Sequence, residues 1–222
     1  MIVGNGLIAK NLHPIDKKDI LFFASGVSNS MCNDRDEYDR EFDLLKKHIN
    51  SNKKLVYFSS IDEYIVNEQY LNHKKKIEEF IKNNVDNFII IKIPQLIGKN
   101  GNPNNFINHI YNNIKNNTEF DVFLTKRSLL DVEDLIKILN FLIKKKFNGV
   151  FDINYVELMY VNDFIKIIED IVNKKVKIKN TIKIEQDIKK NSVFVETVLT
   201  KIIKEKKSYN LKIIKKYFNE KN

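Results

Sequence analysis

Lys54–Lys76 reads KLVYFSSIDEYIVNEQYLNHKKK, and the fold turns on how it is read. Lys54–Ser59 is a continuous apolar run closed by two serines, which predicts a buried strand. From Gln69 the pattern becomes helical and continues to Asn84, with Tyr70 at its start and Lys74 one turn later. Positions i and i+4 share a helix face, so Tyr70 and Lys74 point at one site. A phenol, with an ordinary pKa of about 10, works as an acid or base near neutrality only when it is pulled down. A fixed ammonium nearby does this by favouring the phenolate. A serine at the end of the adjacent strand, Ser60 or Ser59, then holds a substrate oxygen. In so lysine-rich a chain the same spacing also arises at an ordinary surface helix, so the flanking segments must decide.

Upstream, Met1–Leu12 is MIVGNGLIAKNL. Ile2–Val3 predicts a short strand, Gly4-Asn5-Gly6 a turn, and Leu7–Leu12 a helix. The pattern is G-x-G-x-x-A. Gly4 permits the tight turn, Gly6 lets a pyrophosphate approach the backbone, and Ala9 lets the helix pack close to the strand. A tight strand–helix turn without any ligand is the plainer alternative. A full unit of this kind runs for about 30 residues and places an acid about 20 beyond the glycines. Here the short polar segment His13–Asp19 leads straight into the apolar strand Ile20–Ala24, and no acid stands at that position. The usual second and third strands are therefore expected to be missing, and the adenosine pocket to be incomplete. Ala24–Asn29 (ASGVSN) is a small-residue loop at a strand end, where ligands of such sheets bind. Asp34–Asn50 predicts a helix, with Phe42, Leu45 and Ile49 on one face.

Downstream, Phe88–Ile93 is another fully apolar strand, and Pro94–Asn105 is a loop rich in Gly, Pro and Asn. Phe106–Asn116 predicts a helix and Phe120–Thr125 a strand. Asp131 suits an N-cap for the helix Val132–Lys145, with Asp134 in its first turn. Gly149–Asn154 predicts a strand, Tyr160–Asn173 an amphipathic helix, Val176–Ile184 a half-exposed strand, and Val193–Phe218 a helical tail. Strands alternating with helices indicate a parallel α/β sheet with helices on both faces. Residues 1–154 form the expected reduced core. Residues 155–222 form a small C-terminal α+β lobe packed with 95–130.

The composition narrows the function. The chain has 222 residues, 43% hydrophobic, with a formal net charge of +9. The positive charge is nearly all lysine, since the arginines are Arg35, Arg40 and Arg127. Lys, Asn and Ile are abundant while Gly and Pro are scarce, a compositional bias. The charge is therefore read as a solvated surface, not a nucleic-acid face. The single Cys32, beside Met31, supports neither a disulfide framework nor a cysteine-rich metal site. His13, His48, His73 and His109 show no ligand spacing, so no metal is expected. There is no signal-peptide pattern and no apolar run of about 20 residues, so no membrane is expected and the expected location is cytoplasmic.

Taken in order, these segments resemble the extended short-chain dehydrogenase/reductase superfamily, the nucleotide-sugar epimerase/dehydratase family, in a truncated form. VGNGLIA is similar to its glycine turn, LVYFSSIDEY to its strand ending in a Ser/Thr pair before a tyrosine, and YLNHK to its Tyr-x-x-x-Lys. IIIKIPQLIGKNG resembles the strand and loop that border the substrate. RSLLDVEDL resembles the segment whose arginine touches the substrate diphosphate. The resemblance covers the first two thirds of the chain well and the last third loosely. It implies a Rossmann-like fold and an NAD or NADP cofactor. Tyr70 would be the acid/base, Lys74 its partner and a ligand of the nicotinamide ribose, and Ser60 the holder of the substrate oxygen, with Ser59 as the other candidate. Gly4, Gly6, Leu7 and Ala24 would line the cofactor, and Arg127 would meet the diphosphate. Ile61-Asp62 replaces the Asp-Glu pair of the family's dehydratases, which argues against dehydration. The interval from Ser60 to Tyr70 is shorter than the family norm.

The expected function is reduction or epimerisation of an activated, nucleotide-linked sugar for surface polysaccharide, with a homodimer left open. Two rivals stand beside it. One is a binding or scaffold protein that kept the fold and lost the cofactor. The other is a nucleic-acid-binding domain, supported only by the charge.

Overall fold

The structure, a computed structural model, describes residues 1–27, 29–49, 51–61, 67–184 and 186–219. The chain opens with β1 (Ile2–Val3), α1 (Leu7–Asn11), a 3₁₀ turn (His13–Ile15), β2 (Ile20–Phe23) and α2 (Arg35–His48). Then come β3 (Lys54–Ser60), α3 (Glu68–Asn84), β4 (Phe88–Ile93), β5 (Gln95–Ile97), α4 (Phe106–Asn116) and β6 (Glu119–Leu124). Next are β7 (Lys126–Arg127), β8 (Leu129–Asp131), α5 (Val132–Lys144), β9 (Gly149–Asp152) and β10 (Met159–Tyr160). The chain continues with α6 (Val161–Val172), β11 (Lys177–Lys183), α7 (Val193–Ile202) and α8 (Tyr209–Phe218).

Five strands form one parallel sheet in the order β1-β2-β3-β4-β9. Because strand side chains alternate in direction, the sheet feeds two layers. Phe22, Val56, Phe58, Ile89 and Ile91 join a layer with α5 residues such as Leu135 and Leu142. Leu21, Phe23, Leu55, Tyr57 and Ile90 join the other, with Leu45 of α2 and Ile77 and Ile81 of α3. Both faces are therefore covered, as runs such as FIIIKI require. β2 lies directly beside β1, with Ile2 opposite Phe22, and Leu12–Asp19 contains only the 3₁₀ turn. The two-strand deletion expected from the spacing is present, and β1 is an edge strand.

The last third does not separate from the sheet. Phe164, Ile168, Leu199 and Ile214 belong to the same buried cluster as Phe22, Val56 and Ile89. It meets the 95–130 segment through strand pairs β10–β7 and β11–β6 and through packing of α6 on α4. Several expected boundaries move. The Pro94–Asn105 loop contains β5, which pairs with β8. β11 is exposed along its whole length, where half-exposure was expected. The helical tail divides into α7 and α8, broken where Ser208 takes a left-handed φ of 61°. Asp131 caps α5 through the Glu133 N–H, as read. Among the described residues, no helix is long and apolar enough to cross a membrane. Nor does any group of three or more His, Cys, Asp or Glu gather that could hold a metal.

Candidate active site

The carboxyl ends of the parallel strands open into a cleft of about 1150 Å³. Gly6, Leu7, Ala24, Ser59, Ser60, Tyr70, Lys74 and Arg127 all line it. Residues far apart in sequence are gathered there because parallel strands deliver their following loops to one edge. The volume exceeds that of a drug-sized pocket, about 300–1,000 Å³.

The glycine turn forms one end. Gly4 has φ +126°, and a Cβ there would lie 2.3 Å from the Ala24 carbonyl oxygen, so the turn needs glycine for its conformation and its packing. Gly6 differs. Its backbone is extended, and a Cβ there would meet nothing within 4 Å. It leaves an open cradle at the cleft wall. Ala9 is buried, as the close approach of α1 requires.

Tyr70 is set by the start of α3. Asn67 caps that helix, its side-chain oxygen accepting from the Gln69 and Tyr70 N–H groups. Its amide nitrogen donates to Cys32 O and Asn33 Oδ1, which ties the helix start to the strap that follows β2. The Tyr70 hydroxyl lies 3.3 Å from Ser60 Oγ and donates to the Val27 carbonyl at 3.2 Å. The expected serine–tyrosine pair is thus formed. Ser59 points elsewhere: its hydroxyl donates to Glu78 Oε1 at 2.6 Å and is buried. Of the two serines, only Ser60 presents its hydroxyl to Tyr70.

Lys74 lies one turn beyond Tyr70, with Nζ 5.5 Å from the tyrosine ring centroid. It is almost fully buried, and its donors go to Glu41 Oε1 (2.8 Å), Glu41 Oε2 (3.1 Å) and Tyr57 Oη (3.2 Å). A carboxylate and a phenol thus hold the amine where Lys74 reaches the cleft wall. Glu41 also accepts from the Val27 N–H at 2.7 Å and from Tyr57 Oη at 2.8 Å, and His73 Nε2 lies 3.0 Å away. Burial pushes the Glu41 carboxyl up. The Lys74 ammonium and the hydrogen bonds from His73, Lys74 and the Val27 N–H prevail, however, and hold it at about 2. Burial alone would lower Lys74, but the Glu41 charge keeps it above the ordinary lysine value. Burial, with Glu41 beside it, raises the Tyr57 phenol well above its ordinary value.

Sequence reasoning missed Glu41. The signal was present: Tyr38, Glu41 and Leu45 form one buried stripe on α2, so an acid stands where a core residue belongs. Arg127 is buried at the far side of the cleft, with its guanidinium carbon 5.8 Å from the Phe106 ring centroid. Phe106, His109 and Phe120 line the same side. Burial lowers the His109 pKa. Ser28, Asn50 and the Asp62 of the Ile61-Asp62 pair lie outside the described residues, as does most of the segment between Ser60 and Tyr70.

No protein-family model and no curated protein matches the chain. Solved structures do. A dTDP-4-dehydrorhamnose reductase from Clostridium acetobutylicum superposes with a TM-score of 0.63 at 17% identity, covering 89% of this chain and 81% of that one. A Thermus thermophilus UDP-glucose 4-epimerase in complex with NAD gives 0.60 at 8% identity, covering 82% and 71%. A Bacillus anthracis dTDP-4-dehydrorhamnose reductase in complex with NADP gives 0.53 at 19% identity, covering 84% and 80%. At these identities the likeness is one of fold. The chain has the Rossmann-like fold of NAD(P)-dependent nucleotide-sugar epimerases and reductases, with a shortened sheet.

Proposed function

We propose that the protein binds NAD or NADP and reduces or epimerises a nucleotide-linked sugar, in the service of surface polysaccharide. The observation that carries this is the convergence of Ser60 and Tyr70, 3.3 Å apart, at a cleft whose other walls are the Gly6 cradle and Arg127. The structural likeness to enzymes of this chemistry supports it.

The residues fit a dinucleotide at its pyrophosphate. Gly6 leaves room for close approach, while Leu7 and Ala24 flank it in the cleft wall. A bound nicotinamide supplies or accepts the hydride. The chain supplies the rest. Ser60 holds the sugar oxygen beside Tyr70. In reduction, the Tyr70 hydroxyl gives its proton to that oxygen as the carbon gains hydride; in oxidation the proton returns. To do so the hydroxyl exchanges its hydrogen bond to Val27 for one to the substrate. Arg127, planar and always charged, suits the substrate diphosphate. Phe106 and Phe120 give that side apolar surface for the rest of the nucleotide.

The test is turnover of a panel of nucleotide-linked keto sugars with NADH and NADPH, followed by nicotinamide absorbance. Tyr70→Phe keeps the ring and removes the proton, so the rate should fall by about 10²–10⁴ while cofactor affinity holds. Equal turnover by the wild type and Tyr70→Phe contradicts the mechanism.

A further inference from the structure

The ammonium of Lys74 has three N–H bonds, and three acceptors face it from two other elements. Glu41 of α2 presents both carboxylate oxygens, and Tyr57 of β3 presents its hydroxyl. The strap after β2 closes the group from a further side. The Val27 N–H bonds to Glu41, and a Cβ at Gly26 would lie 2.9 Å from both Glu41 Oε1 and Lys74 Nζ. A buried ion pair gives little net stability, because desolvation cancels most of its attraction. Stability alone is therefore a poor reason for four polar side chains to be spent here, directly behind Tyr70.

We propose that Glu41 is a positioning residue: it fixes the Lys74 ammonium beside the Tyr70 ring. Lys74 then acts on Tyr70 through its charge. This rests on the reading of Tyr70 as proton donor given above. The other titratable groups facing the pair are Tyr57 from β3, His73, Tyr70 and Glu78 from α3, and Tyr38 from α2, whose ring stacks on His73. At its point of contact the strap supplies only backbone.

The experiment is a pH titration of Lys74 by lysine-selective ¹⁵N NMR in the wild type, Glu41→Gln and Glu41→Asp, alongside the pH–rate profile of keto-sugar reduction. In the wild type Lys74 should stay charged beyond the ordinary value of 10.5. In Glu41→Gln it should lose its proton about one pH unit lower or more, with the alkaline limb of the rate following it, and Glu41→Asp should restore most of the difference. If Glu41→Gln does not fold, Gly26→Ala sets a methyl against both atoms and should move Lys74 in the same direction. An unmoved Lys74 titration with turnover intact overturns the positioning role alone. A wild type that turns over no substrate overturns the reading of Tyr70 on which the role rests.

Discussion

Gly4 and Gly6 sit two residues apart and do different work. Gly4 is held by backbone geometry, and any side chain there meets the Ala24 carbonyl. Gly4→Ala should destabilise the protein by about 1–3 kcal/mol, read by chemical denaturation. Gly6 is extended and faces open space, so Gly6→Val should still fold, losing only about 1 kcal/mol as a poorer N-cap for α1. A large loss of stability in Gly6→Val would show that the cradle is structural. Glu41 brings a pH dependence of its own. Its folded pKa of about 2 lies below the ordinary 4.5, so its contribution is complete above the ordinary value and is lost as pH falls toward 2. Thermal melts should therefore lose stability between about pH 4.5 and pH 2, and the loss should be smaller in Glu41→Gln. Equal acid slopes in the two proteins would contradict this. The approach of Tyr70 to Ser60 and the glycine turn were legible in the sequence because each depends on spacing within one or two elements. Glu41 was not, because its partners Tyr57, His73 and Lys74 come together only when α2, β3 and α3 pack.

Elements with strong patterns were readable, and short ones were not, except β1, which the glycine turn marks. Continuous apolar runs marked β2, β3 and β4 nearly to the residue. The two- and three-residue strands β5, β7, β8 and β10 carry no period to detect and exist only through their partners. The break between α7 and α8 has no Gly or Pro to announce it; Ser208 takes the left-handed turn instead. At the start of α3, Asn67 both caps the helix and grips the strap. Asn67→Ala should cost about 1–2 kcal/mol in chemical denaturation and should also reduce turnover, since Tyr70 sits in the first turn it orders. A change within experimental error in both would show that the cap does not set the tyrosine.

At the scale of the molecule, the deletion between α1 and β2 was visible as a missing length of sequence, and the sheet order follows from it. The packing of the C-terminal lobe with residues 95–130 was legible, but the burial of α6, α7 and α8 in the same cluster as the sheet was not, because it depends on long-range packing. That shared core predicts one cooperative unfolding transition, seen alike by far-ultraviolet circular dichroism and tyrosine fluorescence. Two separated transitions would indicate a lobe that folds on its own. The net charge of +9 spreads over lysines throughout the chain, and the pairing of Lys74 with Glu41 shows that at least one of them is a core group.

The central claim is that this shortened sheet still holds a nicotinamide dinucleotide at the Gly6 cradle. Calorimetric titration of NADH and NADPH into the wild type and Gly6→Val tests it most directly. The expected result is one equivalent bound by the wild type, with modest affinity because the adenosine side lacks two strands, and none by a folded Gly6→Val. A wild type that binds neither dinucleotide, or a Gly6→Val that binds as well as the wild type, would contradict it.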